Sequence, residues 1–360
     1  MSLFVVHVSD THFAFDNEKL LASTLVSAPQ LPLAPFFQKL RASVIRSHGC
    51  ACAEARLWSE MLAELKRIGT AIEDDMFALH TGDVTQAGQM ASLVGALDEI
   101  TQALGNKVFA IAGNHDQWPE DFPPCRPNLT AAQYARLRQC AALANPIPTW
   151  HPLATSPSVD VMFLNSAVAD SLPNALALGK LEDEVLAGQL VPQLGPAWPG
   201  SSPLRAVALH HPVIDFGQGV ARRTQAYKGW QLAMVLQDRA AVWASLLKHE
   251  VGLVFCGHEH LVPGGGHHVD PTGRVLQLAA GCPTLVNGAG NHDEPQFALY
   301  QLDQDGGDVV LTWYVCRLDP VRWAEEARYR YSGKRWSVES PSTGLPAFVS
   351  GQKARAPLAS

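Results

Sequence analysis

The chain has 360 residues, enough for two domains of ordinary size or one large α/β unit with insertions. Hydrophobic residues make up 47% and charged residues 17%, a balance that excludes a disordered chain. With 27 basic and 34 acidic side chains the net charge is −7, which argues against a dedicated duplex-DNA binder.

The N-terminus carries no basic segment or cleavage signal and runs directly into an apolar stretch, so it reads as a strand and not a leader. Leu3–Val8 is that strand, and Ser9-Asp10-Thr11-His12 follows it. The same arrangement recurs along the chain. Met76–Leu79 precedes Thr81-Gly82-Asp83, and Lys107–Ala112 precedes Gly113-Asn114-His115-Asp116. Leu204–Leu209 precedes His210-His211-Pro212, and Val251–Phe255 precedes Gly257-His258-Glu259-His260. Short apolar runs bounded by glycine read as buried strands, so each polar cluster falls at a carboxyl end. In α/β sheets that edge is where ligands bind.

Helical spacing lies between these runs. Glu54–Ile72 places Leu57, Met61, Leu65 and Ile68 on one face, and 91–104 and Arg239–Lys248 are similar. The alternation predicts an α/β fold with helices on the sheet faces. Two stretches break the rhythm and read as insertions over the active-site edge: about 13–53, and about 117–157 with its eight prolines. Val275–Leu278, Phe297–Leu302 and Val309–Cys316 read as later strands, the last two joined through Asp303–Gly307 as a hairpin. One domain over 1–320 is expected, then a C-terminal extension over 321–360, loose from about 337 where Ser, Pro and Gly accumulate. The most tempting uncharged stretch, Val275–Asn291, is broken by Pro283 and several glycines, so no membrane span is expected. Seven cysteines, odd in number and scattered, point to reduced thiols and a cytoplasmic location.

Asp10, His12, Asp83, Asn114, His210, His258 and His260 are all oxygen or imidazole donors at strand ends, suited to Mn, Fe, Zn or similar divalent ions. Seven exceed the needs of one ion, and two ions sharing a carboxylate would use them all. The chemistry of such a pair is in-line displacement at phosphorus.

In this order the five clusters resemble the signature blocks of the calcineurin-like metallophosphoesterases, over roughly Leu3–Leu285. Gly82-Asp83-Val84-Thr85 with Gly88 and a helix beyond is closest in pattern to the cyclic-nucleotide phosphodiesterase (class III) branch. The resemblance implies a four-layer αββα sandwich of two mixed β-sheets flanked by helices. It implies that Asp10, His12 and His260 hold one ion and Asn114, His210 and His258 the other, with Asp83 bridging. His115 would contact the phosphate and protonate the leaving oxygen, with Asp116 orienting it. No signature block holds a nucleophilic Ser or Cys, so a metal-bridging hydroxide would attack directly.

The expected substrate is a small phosphate ester, a nucleotide among the candidates. A DNA nuclease of the same superfamily, or a binding scaffold like its retromer member, are the alternatives. Arg222, Arg223 and Tyr227 after the fourth block suit a substrate loop or a solvated one, Trp118 walls the pocket or packs in the core, and His211 supports the ligands or faces the phosphate. Asn165, where many relatives carry Asp, leaves substrate-side detail open. A second Gly290-Asn291-His292-Asp293 reads as a polar loop, and His267-His268 as part of a flexible surface loop. His7 and His80 read as packing residues.

Overall fold

The computed structural model describes residues 2–13, 54–72, 76–85, 90–105, 108–116, 150–155, 157–167, 179–181, 204–214, 236–258, 266–284 and 294–340. The expected strands form as β1 (Ser2–Val8), β2 (Met76–His80), β3 (Val108–Ala110), β5 (Ser158–Phe163), β6 (Leu204–Ala208), β7 (Val251–Cys256), β9 (Leu276–Ala279), β10 (Gln296–Asp305) and β11 (Asp308–Leu318). The expected helices are α1 (Ala55–Ala71), α2 (Met90–Leu104) and α3 (Arg239–Lys248). Four further strands join them: β4 (Trp150–Thr155), β8 (His267–Val269), β12 (Val321–Ser332) and β13 (Arg335–Glu339).

The strands make two mixed sheets, ordered β13-β12-β11-β10-β1-β2-β3 and β4-β5-β6-β7-β9-β8. β1 pairs in parallel with β2 and antiparallel with β10, while β5, β6, β7 and β9 run parallel. Side chains alternate across a strand, and β1 shows the result. Leu3 and Val5 join Phe163, Phe255 and Leu278 in a core between the sheets, whereas Val6 and Val8 face the core made with α1 and α2. Val242 and Leu246 of α3 pack on Met162, Val207 and Val254, the other face of the second sheet. The layers are therefore helix, sheet, sheet, helix, the architecture the motif order implies. Among the described residues no helix is long and apolar enough to cross a membrane.

Three expectations differ from the structure. Residues 321–339 are not an extension outside the domain, because β12 and β13 complete the first sheet, and β13 includes 337–339, which were expected to be loose. Ala327, Tyr329, Tyr331 and Trp336 fill the inter-sheet core, and Arg330 reaches Asp305 of β10, Asp308 of β11 and Glu339 of β13. The insertion of 117–157 ends earlier than expected, since β4 pairs with β5. His267 and His268 lie in β8, paired with β9, and the His267 ring sits edge-on to Trp313 at 5.1 Å.

Candidate metal centre

The carboxyl ends of both sheets meet at one place. The turns after β1 and β2 continue side by side past the strand ends: Asp10 N–H donates to Gly82 O at 3.0 Å, His12 N–H to Asp83 O at 3.0 Å and Phe13 N–H to Val84 O at 2.8 Å. The second sheet reaches across. His258 N–H donates to the Asp10 carboxylate at 2.9 and 3.1 Å, and His210 Nδ1 lies 2.8 Å from Thr81 O. Asp10, His12, Asp83 and His258 all have positive φ, 54°, 47°, 51° and 73°. For L-residues this region is sparsely populated and costs free energy, so its concentration at these four positions marks a functional turn set.

The glycines of the blocks allow the approach. A Cβ on Gly257 would lie 1.8 Å from Ser9 Oγ and 2.7 Å from Asp10 Oδ2. One on Gly82, itself at φ +100°, would meet His210 Nδ1 at 2.6 Å.

A carbonyl can only accept, so the Thr81 contact places a proton on His210 Nδ1 and turns the Nε2 lone pair inward. Around Nε2 stand Asn114 Oδ1 at 3.0 Å, His258 Nδ1 at 3.1 Å and Asp83 Oδ2 at 3.4 Å. Two oxygens and a second imidazole nitrogen this close to Nε2 in a buried space form a donor set that suits a cation. In metal-free protein a proton serves. Burial alone would lower the His210 pKa, but the Asp83 carboxylate outweighs it and raises the value to about 9. Conversely, burial pushes Asp83 up, yet His210, His115 and His12 hold it well below the usual carboxylate range. A divalent ion suits the same donors.

Ligand atoms also converge within 4.8 Å in the sets His12, Asp83, His115 and Asp10, Asp83, His210, so Asp83 is common to both. His210, His211 and His258 form a third such set. His115 is half-buried; its N–H donates to Asp83 Oδ1 at 2.8 Å and its ring meets His12 edge-on at 4.7 Å. His211 is fully buried. Its Nδ1 lies 2.9 Å from Ser166 Oγ, its N–H donates to the same oxygen at 3.1 Å, and Gly179 lies against the ring.

Asp116 departs from expectation. Its carboxylate accepts from Val84, Thr85 and Gly113 N–H and from Thr85 Oγ1, at 2.8–3.1 Å. Among the described residues these bonds staple the second block to the third and none goes to the His115 ring. Burial, with Asp83 nearby, raises its pKa to about 6. His260, Trp118, Arg222, Arg223, Tyr227 and the second Gly-Asn-His-Asp copy lie outside the described residues.

Sequence reasoning missed Gln277, Ser166 and Thr81. Gln277 Oε1 accepts from Val213 and Ile214 N–H at 2.8 Å each, and Nε2 donates to Ile214 O at 2.8 Å. A side chain from β9 thus holds the loop after His210-His211. The signal was a single amide inside an otherwise apolar run, since a buried polar group needs partners. On the other flank, Thr284 Oγ1 donates to Thr11 O and Cys282 Sγ to Asp10 O.

A buried site of oxygen and imidazole donors straddling two sheets is what a metal-dependent hydrolase of this architecture presents. The calcineurin-like phosphoesterase family model matches residues 5–262, and the chain belongs to that family. A search of curated proteins finds no match. Among solved structures, the purple acid phosphatase PPD1 from yellow lupin (Lupinus luteus) seeds is similar at 10% identity and TM-score 0.48 over 90% of this chain. The chain spans only 53% of that phosphatase. The sulfate thiohydrolase SoxB of Thermus thermophilus is similar at 12% identity and TM-score 0.42, over 89% of this chain and 58% of that one. A Vps29 mutant from Entamoeba histolytica follows at 11% identity and TM-score 0.35, over 92% and 100%.

Proposed function

We propose that the protein hydrolyses phosphodiesters, cyclic nucleotides among them, or phosphomonoesters, using two divalent ions drawn from Mn, Fe and Zn. Family membership supports metal-dependent phosphoester hydrolysis in general. The observation that carries the reading is the convergence of Asp10, His12, Asp83, Asn114, His210 and His258 at one buried edge, with His115 beside them.

In this reading Asp10, His12 and His260 would hold one ion and Asn114, His210 and His258 the other, with Asp83 shared between them. Bound ions supply Lewis-acid charge for phosphoryl oxygens and acidify water. The chain's own residues do the rest. Thr81 O fixes the tautomer of His210. Asp116 locks the turn that presents Asn114 and His115. His115, half-buried and next to Asp83, donates a proton to the departing oxygen. His211, Arg222, Arg223, Tyr227 and Trp118 contact substrate. The cell compartment is the cytoplasm, in keeping with three buried free thiols among the described residues.

The test is a screen of metal-loaded protein on bis-p-nitrophenyl phosphate, p-nitrophenyl phosphate, cyclic nucleotides and single-stranded DNA. Diester turnover abolished by chelation and restored by metal is expected. Preference for the DNA would favour a nuclease, and no turnover with metals bound would favour a scaffold.

A further inference from the structure

We propose that His7 and Tyr300 are positioning residues for this centre, acting through Thr81 on His210. The inference rests on the reading of the site as a metal centre.

β1 sends Leu3, Val5 and then His7 toward the core between the sheets. The neighbouring inward positions, Phe77, Leu79, Ala298 and Leu302, are apolar. An imidazole there is costly unless its polar atoms are satisfied. His7 is fully buried and both its nitrogens are engaged: Nε2 lies 2.9 Å from Thr81 Oγ1, and Nδ1 lies 3.2 Å from the Tyr300 hydroxyl. Its ring rests edge-on to Phe255 at 5.4 Å and tilted on Tyr300 at 5.8 Å.

Thr81 is the next link, and each of its polar groups has a task. Its N–H donates to Val8 O at 3.0 Å, its hydroxyl meets His7, and its carbonyl accepts from His210 Nδ1 at 2.8 Å. The side chain is β-branched with few χ1 options, so anchoring its hydroxyl fixes the residue as a whole. The direction of its carbonyl then decides where His210 Nε2 points. The chain Tyr300, His7, Thr81, His210 connects β10, β1, the turn after β2 and the end of β6. Packing alone would be served by Phe or Leu at position 7, with no hydroxyls to satisfy. A connected polar network orients its members beyond what packing does, and groups that orient a metal-binding histidine are worth about 10–100-fold in metal affinity.

The experiment titrates metal-free protein with Co2+, followed by calorimetry and visible absorption, and records the His210 Nδ1–H resonance in 15N-histidine-labelled protein. Two binding events are expected for the wild type, with a slowly exchanging Nδ1–H. His7→Phe and Thr81→Val should weaken one of the two events by about tenfold and speed that exchange, leaving the other event unchanged. Tyr300→Phe should weaken the same event less, and Thr81→Ser, which keeps the hydroxyl but not the β-branch, should bind closer to wild type than Thr81→Val does. Should His7→Phe fail to fold, Tyr300→Phe and the two Thr81 variants still decide. Co2+ affinities within twofold of wild type and an unchanged Nδ1–H signal, alongside a lower melting point, would make His7 and Tyr300 core residues only and overturn the inference. A wild type that binds no divalent ion would sink the metal-centre reading instead, while the Nδ1–H signal still reports the coupling.

Discussion

Gln277→Met isolates what one buried amide contributes. Methionine matches glutamine in length and fills the same space, but removes both acceptor and donor. Three backbone groups lose their partner: Val213 N–H, Ile214 N–H and Ile214 O. Val213 is 4% exposed, so no water replaces the amide there. Ile214 is half-buried and can recover part of its loss from solvent. An unsatisfied buried polar group costs about 1–3 kcal/mol. Full cost at Val213 and partial cost at Ile214 sum to about 2–5 kcal/mol. Urea denaturation of the metal-free variant should show that loss in the midpoint with an unchanged m-value. The released loop carries His210 and His211, so divalent-ion affinity should fall as well. A loss below about 1 kcal/mol with unchanged affinity would refute the reasoning, since the loop would then hold without its anchor.

His115→Ala should keep both ions bound yet slow hydrolysis of an alkoxide leaving group, such as a ribose oxygen, by about 100–10,000-fold. Nitrophenyl esters should lose far less, and equal losses on both substrates would reduce His115 to a phosphate contact. Asn114→Ala should lose metal measured by elemental analysis, whereas Asn291→Ala in the duplicate motif should not; similar losses would mean the wrong copy was chosen. Burial, with His80 nearby, lowers the His7 pKa to about 3. The unfolded chain therefore takes up that proton first as pH falls below about 6.5. Stability is full above that value and declines toward pH 3, by about 2 kcal/mol at pH 5 from this residue. His7→Phe should flatten the decline in denaturation midpoint between pH 7 and 5, and an unaltered slope would exclude His7 as its source.

The five polar blocks were legible as strand ends because each joins two signals, an apolar run and a polar terminus. Gly82, Gly113 and Gly257 were read only as strand boundaries; the structure adds that a side-chain carbon at each would strike a neighbouring turn. β12 was not legible. Its centre, Ala324-Glu325-Glu326-Ala327, has little strand character, and a register shift at Trp313/Tyr314 in β11 changes which residues face inward. Trp323 accordingly packs with the helices, whereas Tyr329 and Tyr331 face the other sheet. β4 and β8 are edge strands with little apolar pattern of their own, and only pairing defines them. The family resemblance implied that Asp116 orients His115, but its carboxylate turns to the backbone of Val84, Thr85 and Gly113. Gln277, Ser166 and Thr81 act on residues distant in sequence, and no local pattern reports that.

β1 lies inside its sheet, between β2 and β10, and its antiparallel partner begins only at Gln296. Asp10 and His12 come far earlier in the chain than the strand that seats them. A chain leaving the ribosome cannot close the first sheet around β1 until Asp305 has emerged and β10 has zipped against it, a pairing of very large sequence separation. Until then β1 offers an apolar edge on the side away from β2, the kind of surface that invites mispairing. The carboxyl-terminal strands, remote from the chemistry in sequence, therefore govern the moment at which the chain first acquires a complete site.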